Sequence, residues 1–224
     1  MKILIYLVVM SIILAFFIGC AAHSTLEPVG KGRLNANLSV GGPIVAALDT
    51  HIPIPYFTTG CDYGISDRTN ICGNLHLLPL AYSIAGGDFG AAYFPVMNDG
   101  YIPTWGVQAR MLFLSSLKSD VPEQFKMYPV ISTSAAWKCG KGNIYTGCDL
   151  SFRLNSPDYD NEASNYIVSP FAGYRWNITD NYRLLFELKM QGVNLRTDQL
   201  AVDYIPIANH GAFTTFFAVE RCFR

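Results

Sequence analysis

Between residues 182 and 191 the chain alternates strictly. Tyr182, Leu184, Phe186, Leu188 and Met190 fall on one side, and Arg183, Leu185, Glu187, Lys189 and Gln191 on the other. Successive strand side chains point to opposite faces, so this is a strand with one apolar and one largely polar face. A slip of one residue would exchange the two faces and carry Arg, Glu and Lys into the apolar environment, so the register is strongly specified. The same period recurs in about ten segments, near 33–42, 55–66, 69–78, 87–97, 103–114, 126–138, 143–154, 165–178, 181–193 and 211–223. Each is about the length of a tilted strand that crosses a bilayer. From Arg33 onward no 3.6-residue period is sustained, so the expected fold is all-β.

Alternation alone does not say which face meets solvent. Charged residues make up 15% of the chain and apolar residues 50%, whereas a soluble domain carries about 25% charged residues. The polar faces are rich in Gly, Ser, Asn and Thr, with only one to three charges per strand, which suits a crowded interior better than a water-facing shell. Aromatic residues gather toward strand ends: Trp105, Trp137, Tyr174 and Trp176 near one rim, Tyr166 near the other. Such girdles form where a barrel meets the two membrane interfaces. Tight turns at 66–69, 97–101, 139–143 and 178–181 alternate with longer joints at 43–54, 79–86, 115–125, 155–164 and 194–210. The expected architecture is therefore a closed antiparallel up-and-down transmembrane β-barrel of about ten strands, occupying 33–224. An even count places both chain ends on the short-turn side.

The N-terminus reads as an export signal. Lys2 precedes an apolar run from Ile3 to Ile18, broken only by Ser11, as in a charged n-region followed by an apolar h-region. The run ends in Phe17-Ile18-Gly19-Cys20, which resembles the lipobox of bacterial lipoproteins, with Phe17 in place of the usual Leu. That resemblance implies cleavage after residue 19, acylation of Cys20, and processing by the lipoprotein machinery. Residues 20–32, containing Pro, Gly and small polar side chains without an apolar period, read as a lipidated start and tether.

Two segments carry a wider likeness: Tyr63-Gly-Ile-Ser-Asp-Arg-Thr-Asn-Ile71 and Tyr174-Arg-Trp-Asn-Ile-Thr-Asp-Asn-Tyr-Arg-Leu184. With Phe213, Thr215, Phe217, Val219 and the near-terminal Phe223, they resemble the outer-membrane β-barrel proteins of Gram-negative bacteria. The resemblance implies an outer-membrane location, a periplasmic N-terminus, contact with outer-membrane lipid, and recognition of Phe223 by the barrel-assembly machinery. Arg221 among the outward residues and Arg224 after the aromatic depart from that pattern. The likeness specifies architecture and is nearly silent on activity, since one barrel fold hosts many functions.

By alternation, the interior receives Arg33, Asp62, His76, Asp88, Arg110, Lys138, Asp149, Arg153, Arg175, Arg183, Glu187, Lys189 and Glu220. Acids and bases interleave, and a ten-stranded barrel has little room beyond its own side chains. The expectation is a paired network that plugs the lumen, because an unpaired buried charge is costly. A small selective pore is the alternative, although no ring of one sign marks it. An outer-membrane enzyme, a protease or a lipid A modifying one, is a second alternative. Of the four histidines, His23 falls in the tether, His51 and His210 in long joints near Asp49 and Asp203, and His76 on a strand. None forms a recognisable catalytic set, so no catalytic residue is assigned.

Five cysteines remain after Cys20. Cys61, Cys139 and Cys148 share outward faces, and Cys72 and Cys222 inward ones. Facing rules out a Cys61–Cys72 bridge across the wall, and no C-x-x-C metal spacing occurs. Neither a cofactor nor a metal is expected, and the net charge of −1 leaves no basic footprint for nucleic acid. The leading expectation is a non-enzymatic outer-membrane barrel lipoprotein with a structural or surface-interaction role.

Overall fold

A computed structural model describes residues 25–47, 50–53, 56–77, 83–117, 125–152, 154, 165–197, 205–206 and 208–223. The expected signal peptide, Cys20, His23, Arg153 and the 155–164 joint lie outside the described residues. Eleven strands follow in chain order: β1 (Leu34–Ala47), β2 (Thr50–Pro53), β3 (Tyr56–Gly64), β4 (Thr69–His76), β5 (Ile84–Val96) and β6 (Thr104–Ser116). They continue as β7 (Phe125–Cys139), β8 (Gly142–Phe152), β9 (Tyr166–Asn177), β10 (Tyr182–Arg196) and β11 (His210–Phe223).

Every strand from β3 to β11 pairs antiparallel with its neighbour in sequence, and β11 returns to β1 from Leu34↔Phe223 to Pro43↔Thr214. The wall is closed between β1 and β3: Gly32 N donates to Gly64 O, Gly64 N to Arg33 O, and Thr59 Oγ1 to Asn37 O. The result is a closed ten-strand antiparallel barrel. Closure satisfies the backbone groups that an open sheet would leave at its edges.

β2 is the extra element. Residues 43–54 are expected as a long joint, yet β1 runs on to Ala47 and β2 folds back on it from Ile44↔Pro53 to Ala47↔Thr50. Pro43 stands where β1 exchanges β11 for β2 as partner, so its missing N–H falls at the switch and not within a continuous ladder. The β-rich stretch beyond it, Ile44-Val45-Ala46-Ala47, then continues the strand.

The two faces separate as alternation requires. Outward side chains such as Leu38, Leu75, Phe89, Ile131, Leu184 and Val219 are exposed, with Phe89 at 61%. Inward side chains are buried and mostly polar, among them Asn37, Ser39, Thr58, Asn70, Gln108 and Ser132. This reverses the arrangement of a water-soluble barrel, whose apolar face turns inward.

Candidate functional site

The interior is organised by its largest side chains. Tyr145, Phe94 and Phe216 are fully enclosed, and Phe171 nearly so. Each is accommodated by a glycine on the adjacent strand: Tyr145 is registered against Gly173, Phe171 against Gly147, and Phe216 against Gly41. A Cβ on Gly173 would lie 2.4 Å from the Tyr145 hydroxyl, and one on Gly147 would lie 2.3 Å from Phe171 Cζ. The glycines thus leave the space over which the rings lie flat against the wall. Fully buried aromatic rings each remove a large apolar area from water, so this layer is a true core inside an otherwise polar lumen.

Leu26 packs against two of these rings, Tyr145 and Phe171. It is 2% exposed and packs in one apolar cluster with Ala136, Tyr145, Phe171, Leu185 and Ala218. Residues 25–32, expected as the end of a free tether, are therefore not a tether: they enter the barrel at the short-turn end and line its wall. Lys31 N donates to Asp67 Oδ1 in the β3–β4 turn, and Val29 N donates to Asn70 Oδ1. Asn70 Nδ2 donates back to Glu27 O, and Thr25 Oγ1 donates to Asp62 Oδ1. Glu27 crosses the lumen to Arg175, with Nη2 at 2.5 Å from Oε2, and accepts from Asn143 Nδ2 at 2.6 Å. Burial pushes the Glu27 carboxyl up, but the facing guanidinium and these hydrogen bonds outweigh it and hold the group below its ordinary value.

Charged side chains fill the rest of the lumen and reach the rings, with Lys189 Nζ 5.1 Å from the ring centroid of Phe171 and 5.4 Å from that of Phe216. On one wall His76 Nε2 meets Asp88 Oδ2 at 2.7 Å, Asn74 Nδ2 donates to Asp88 Oδ1, and Arg110 Nη1 lies 4.0 Å from Asp88 Oδ1. Tyr56 hydroxyl contacts His76 Nδ1, and Ser39 and Thr58 share a hydroxyl pair beside them. On the opposite wall Lys189 Nζ lies 2.8 Å from Asp149 Oδ2 and 3.3 Å from Glu187 Oε1, while the Tyr145 hydroxyl donates to Glu187 Oε2. The two walls enclose a cavity of about 130 Å³ lined by His76, Asp88, Arg110, Asp149, Ser169 and Lys189 among others. That is room for about four waters, which suits the buried Arg110 Nε and Asp149 Oδ1, neither of which has a protein hydrogen-bond partner.

Of the interior set read from alternation, Asp62, His76, Asp88, Arg110, Asp149, Arg175, Glu187, Lys189 and Glu220 are buried in the lumen. Arg183 is half-buried, with Nη1 3.7 Å from Glu220 Oε2. Arg33 and Lys138 lie at the short-turn rim, where both are exposed and line the mouth of the lumen, not its buried interior. Leu26, Glu27 and the ring–glycine registers went unread in the sequence. Their signal was the exceptions to alternation, since Tyr145, Phe171, Leu185 and Phe216 are bulky groups on the polar parity.

On the outside, Trp105, Trp137, Tyr166, Tyr174 and Trp176 are all exposed. Trp105 Nε1 donates to Thr133 Oγ1 and the Tyr174 hydroxyl to Cys139 O, so these polar atoms are satisfied on an apolar surface. Arg221, the odd outward charge, lies 5.5 Å from the ring centroid of Tyr182 and 4.7 Å from that of Phe223, a cation–π arrangement at the rim. All five described cysteines are free thiols, with Cys72 buried and Cys61 and Cys139 exposed. His210 is exposed, with Nδ1 3.0 Å from the Ala208 carbonyl. Among the described residues no three His, Cys, Asp or Glu side chains converge as metal ligands.

No protein-family model and no curated protein matches the chain. Among solved structures, an outer membrane channel from Pseudomonas putida F1 superposes with a TM-score of 0.49 at 8% identity, covering 91% of this chain and 100% of that one. The translocator domain of autotransporter NalP from Neisseria meningitidis gives 0.41 at 9% identity, over 87% of this chain and 89% of that one. Ail, the attachment invasion locus protein of Yersinia pestis, gives 0.29 at 8% identity, over 86% and 99%.

Proposed function

We propose that this chain is an outer-membrane barrel lipoprotein with a closed lumen and a structural or surface-interaction role, not a transport pore and not an enzyme. The observation that carries the reading is the filling of the lumen at two levels. Residues 25–31 and Tyr145 occupy the short-turn end, and beyond them the Phe171 and Phe216 rings pack against Lys189 of the Asp149–Lys189 pair, with the His76–Asp88–Arg110 group across the lumen. Open channels present one sign of charge or a clear aqueous path, whereas this interior pairs acids with bases.

The membrane part of the reading rests on the outward apolar face, its aromatic residues at both rims, and the satisfied backbone of a closed wall. In that orientation the short turns and residues 25–32 face the periplasm, and the long joints face outside, where a partner would be met. Cys20 would carry the acyl chains of a lipoprotein. The barrel's own apolar belt makes them an addition to its membrane attachment and not the whole of it.

Two measurements test this. Purified full-length protein in planar bilayers is expected to show no steady conductance, and a stable open level would overturn the closed lumen. A Cys20→Ser variant is expected to need detergent for extraction from membranes, and release by salt or alkaline wash alone would overturn the membrane barrel.

A further inference from the structure

Residues 25–32 do not fill the short-turn mouth. Beside them remains a recess of about 720 Å³, with the Glu27–Arg175 pair at its inner end. Its walls come from the β7–β8 turn, the β9–β10 turn, the start of β1 and the end of β11. It is a blind vestibule, within the size range of small-ligand pockets, about 300–1,000 Å³.

Its chemistry is one-sided. Arg33, Lys138, Lys141 and Arg183 line it against two carboxylates, Glu27 and Asp180. Glu27 is engaged by Arg175 and Asn143. Arg183 is held only at 3.7 Å by Glu220, and the side chains of Arg33, Lys138 and Lys141 make no ion pair with any described residue. The Thr179 hydroxyl accepts from Asn181 N and Tyr182 N, which leaves its own hydrogen to donate. Like charges converging in a recess with protein walls raise the local potential and favour an anion.

We propose that this vestibule binds a phosphate ester, with the phosphate against Lys138 and Lys141 of the β7–β8 hairpin. A phosphate monoester carries up to two negative charges and three acceptor oxygens, so it answers several cations at once, which a single carboxylate does not. The volume exceeds that of a bare phosphate and leaves room for a polar substituent. Ile178 and Phe223 on the lining put an apolar edge beside the cations, as a lipid headgroup at the adjacent leaflet requires. A soluble phosphate monoester offers both charges and three free oxygens, and a phosphoglycerol headgroup, as a diester, offers one charge and two free oxygens with a glycerol that can also accept and donate hydrogen bonds. The lipid source rests on the membrane reading above, and the soluble source does not.

The experiment uses the full chain in zwitterionic detergent, titrated calorimetrically with glycerol 3-phosphate, and in nanodiscs of phosphatidylcholine with and without phosphatidylglycerol, with bound lipid read by native mass spectrometry. Saturable glycerol 3-phosphate binding that weakens with salt supports a soluble ligand, and selective retention of phosphatidylglycerol supports a headgroup. In either case Lys138→Gln with Lys141→Gln should weaken binding about tenfold or more, since both cations that would face the phosphate are removed. Both lysines are exposed, so the variant should fold, and unchanged heat-modifiable mobility on gels verifies that it does. Absence of both signals, unaltered affinity in the double variant, or equal binding of acetate would each overturn the proposal. Conductance, measured separately, is unaffected by any of these outcomes, so failure here is distinguishable from failure of the closed-lumen reading.

Discussion

Glu27 and Arg175 meet at 2.5 Å inside the barrel, joining the segment that precedes the first strand to the ninth strand across the lumen. Arg175 is almost wholly buried. Its charge is therefore answered by a residue that belongs to no strand of the wall. Acidification is the direct test. The Glu27 carboxyl sits below its ordinary value of 4.5, so its hold on residues 25–31 is complete above that value. It is lost as pH falls through the depressed one. The Leu26 methyl resonances, shifted by the rings of Tyr145 and Phe171, should move toward free-chain positions in that acid window. In Glu27→Gln the loss should be present at neutral pH, because breaking a buried pair from one side costs about 3–5 kcal/mol.

Leu26→Ala removes the apolar anchor of the same segment without touching a charge. Truncating a buried leucine costs about 2–5 kcal/mol. Amide exchange at residues 25–31 should accelerate at least tenfold, while exchange within β7 to β10 changes little. Equal acceleration throughout the barrel would show that Leu26 supports the wall as well as the segment.

Gly173→Ala tests the ring–glycine register. The new Cβ would lie 2.4 Å from the Tyr145 hydroxyl and 2.3 Å from Phe186 O, so ring and backbone must both shift. Overpacking of this kind costs about 1–3 kcal/mol, which should appear as a lower temperature for loss of the folded band in heat-modifiability gels. Tyr145→Phe in the same background should recover only part of it, since the contact with the Phe186 carbonyl remains.

Lys189→Met should be strongly damaging. It leaves Asp149 and Glu187 facing each other without the cation that lies within 2.8 and 3.3 Å of them. The loss of about 3–5 kcal/mol should lower refolding yield in detergent. Adding Asp149→Asn should restore part of it, because it removes one of the two charges left unanswered.

The wall was legible in the sequence because its information is local. Alternation over 182–191, the Ser66-Asp67-Arg68 and Thr179-Asp180-Asn181 turns and the even count are each contained in a short stretch, and the strands lie within a few residues of where those signals put them. Where a signal was ambiguous, it misled. Residues 43–54 read as a joint because nothing nearby shows that β1 exchanges β11 for β2 at Pro43.

By itself, then, the sequence determined an all-β closed wall, its register, and the facing of most side chains. Those follow from a period of two and from turn chemistry. Only the tertiary structure decided what fills the barrel. Whether Leu26 meets Tyr145, Phe171 and Leu185, whether Glu27 finds Arg175, and which cations gather at the mouth all depend on closure. Closure brings together residues from opposite ends of the chain and excludes the water that would otherwise screen them. A segment with no periodicity of its own carries no mark of that destination, since its position is set by the space and charge that the completed wall leaves vacant.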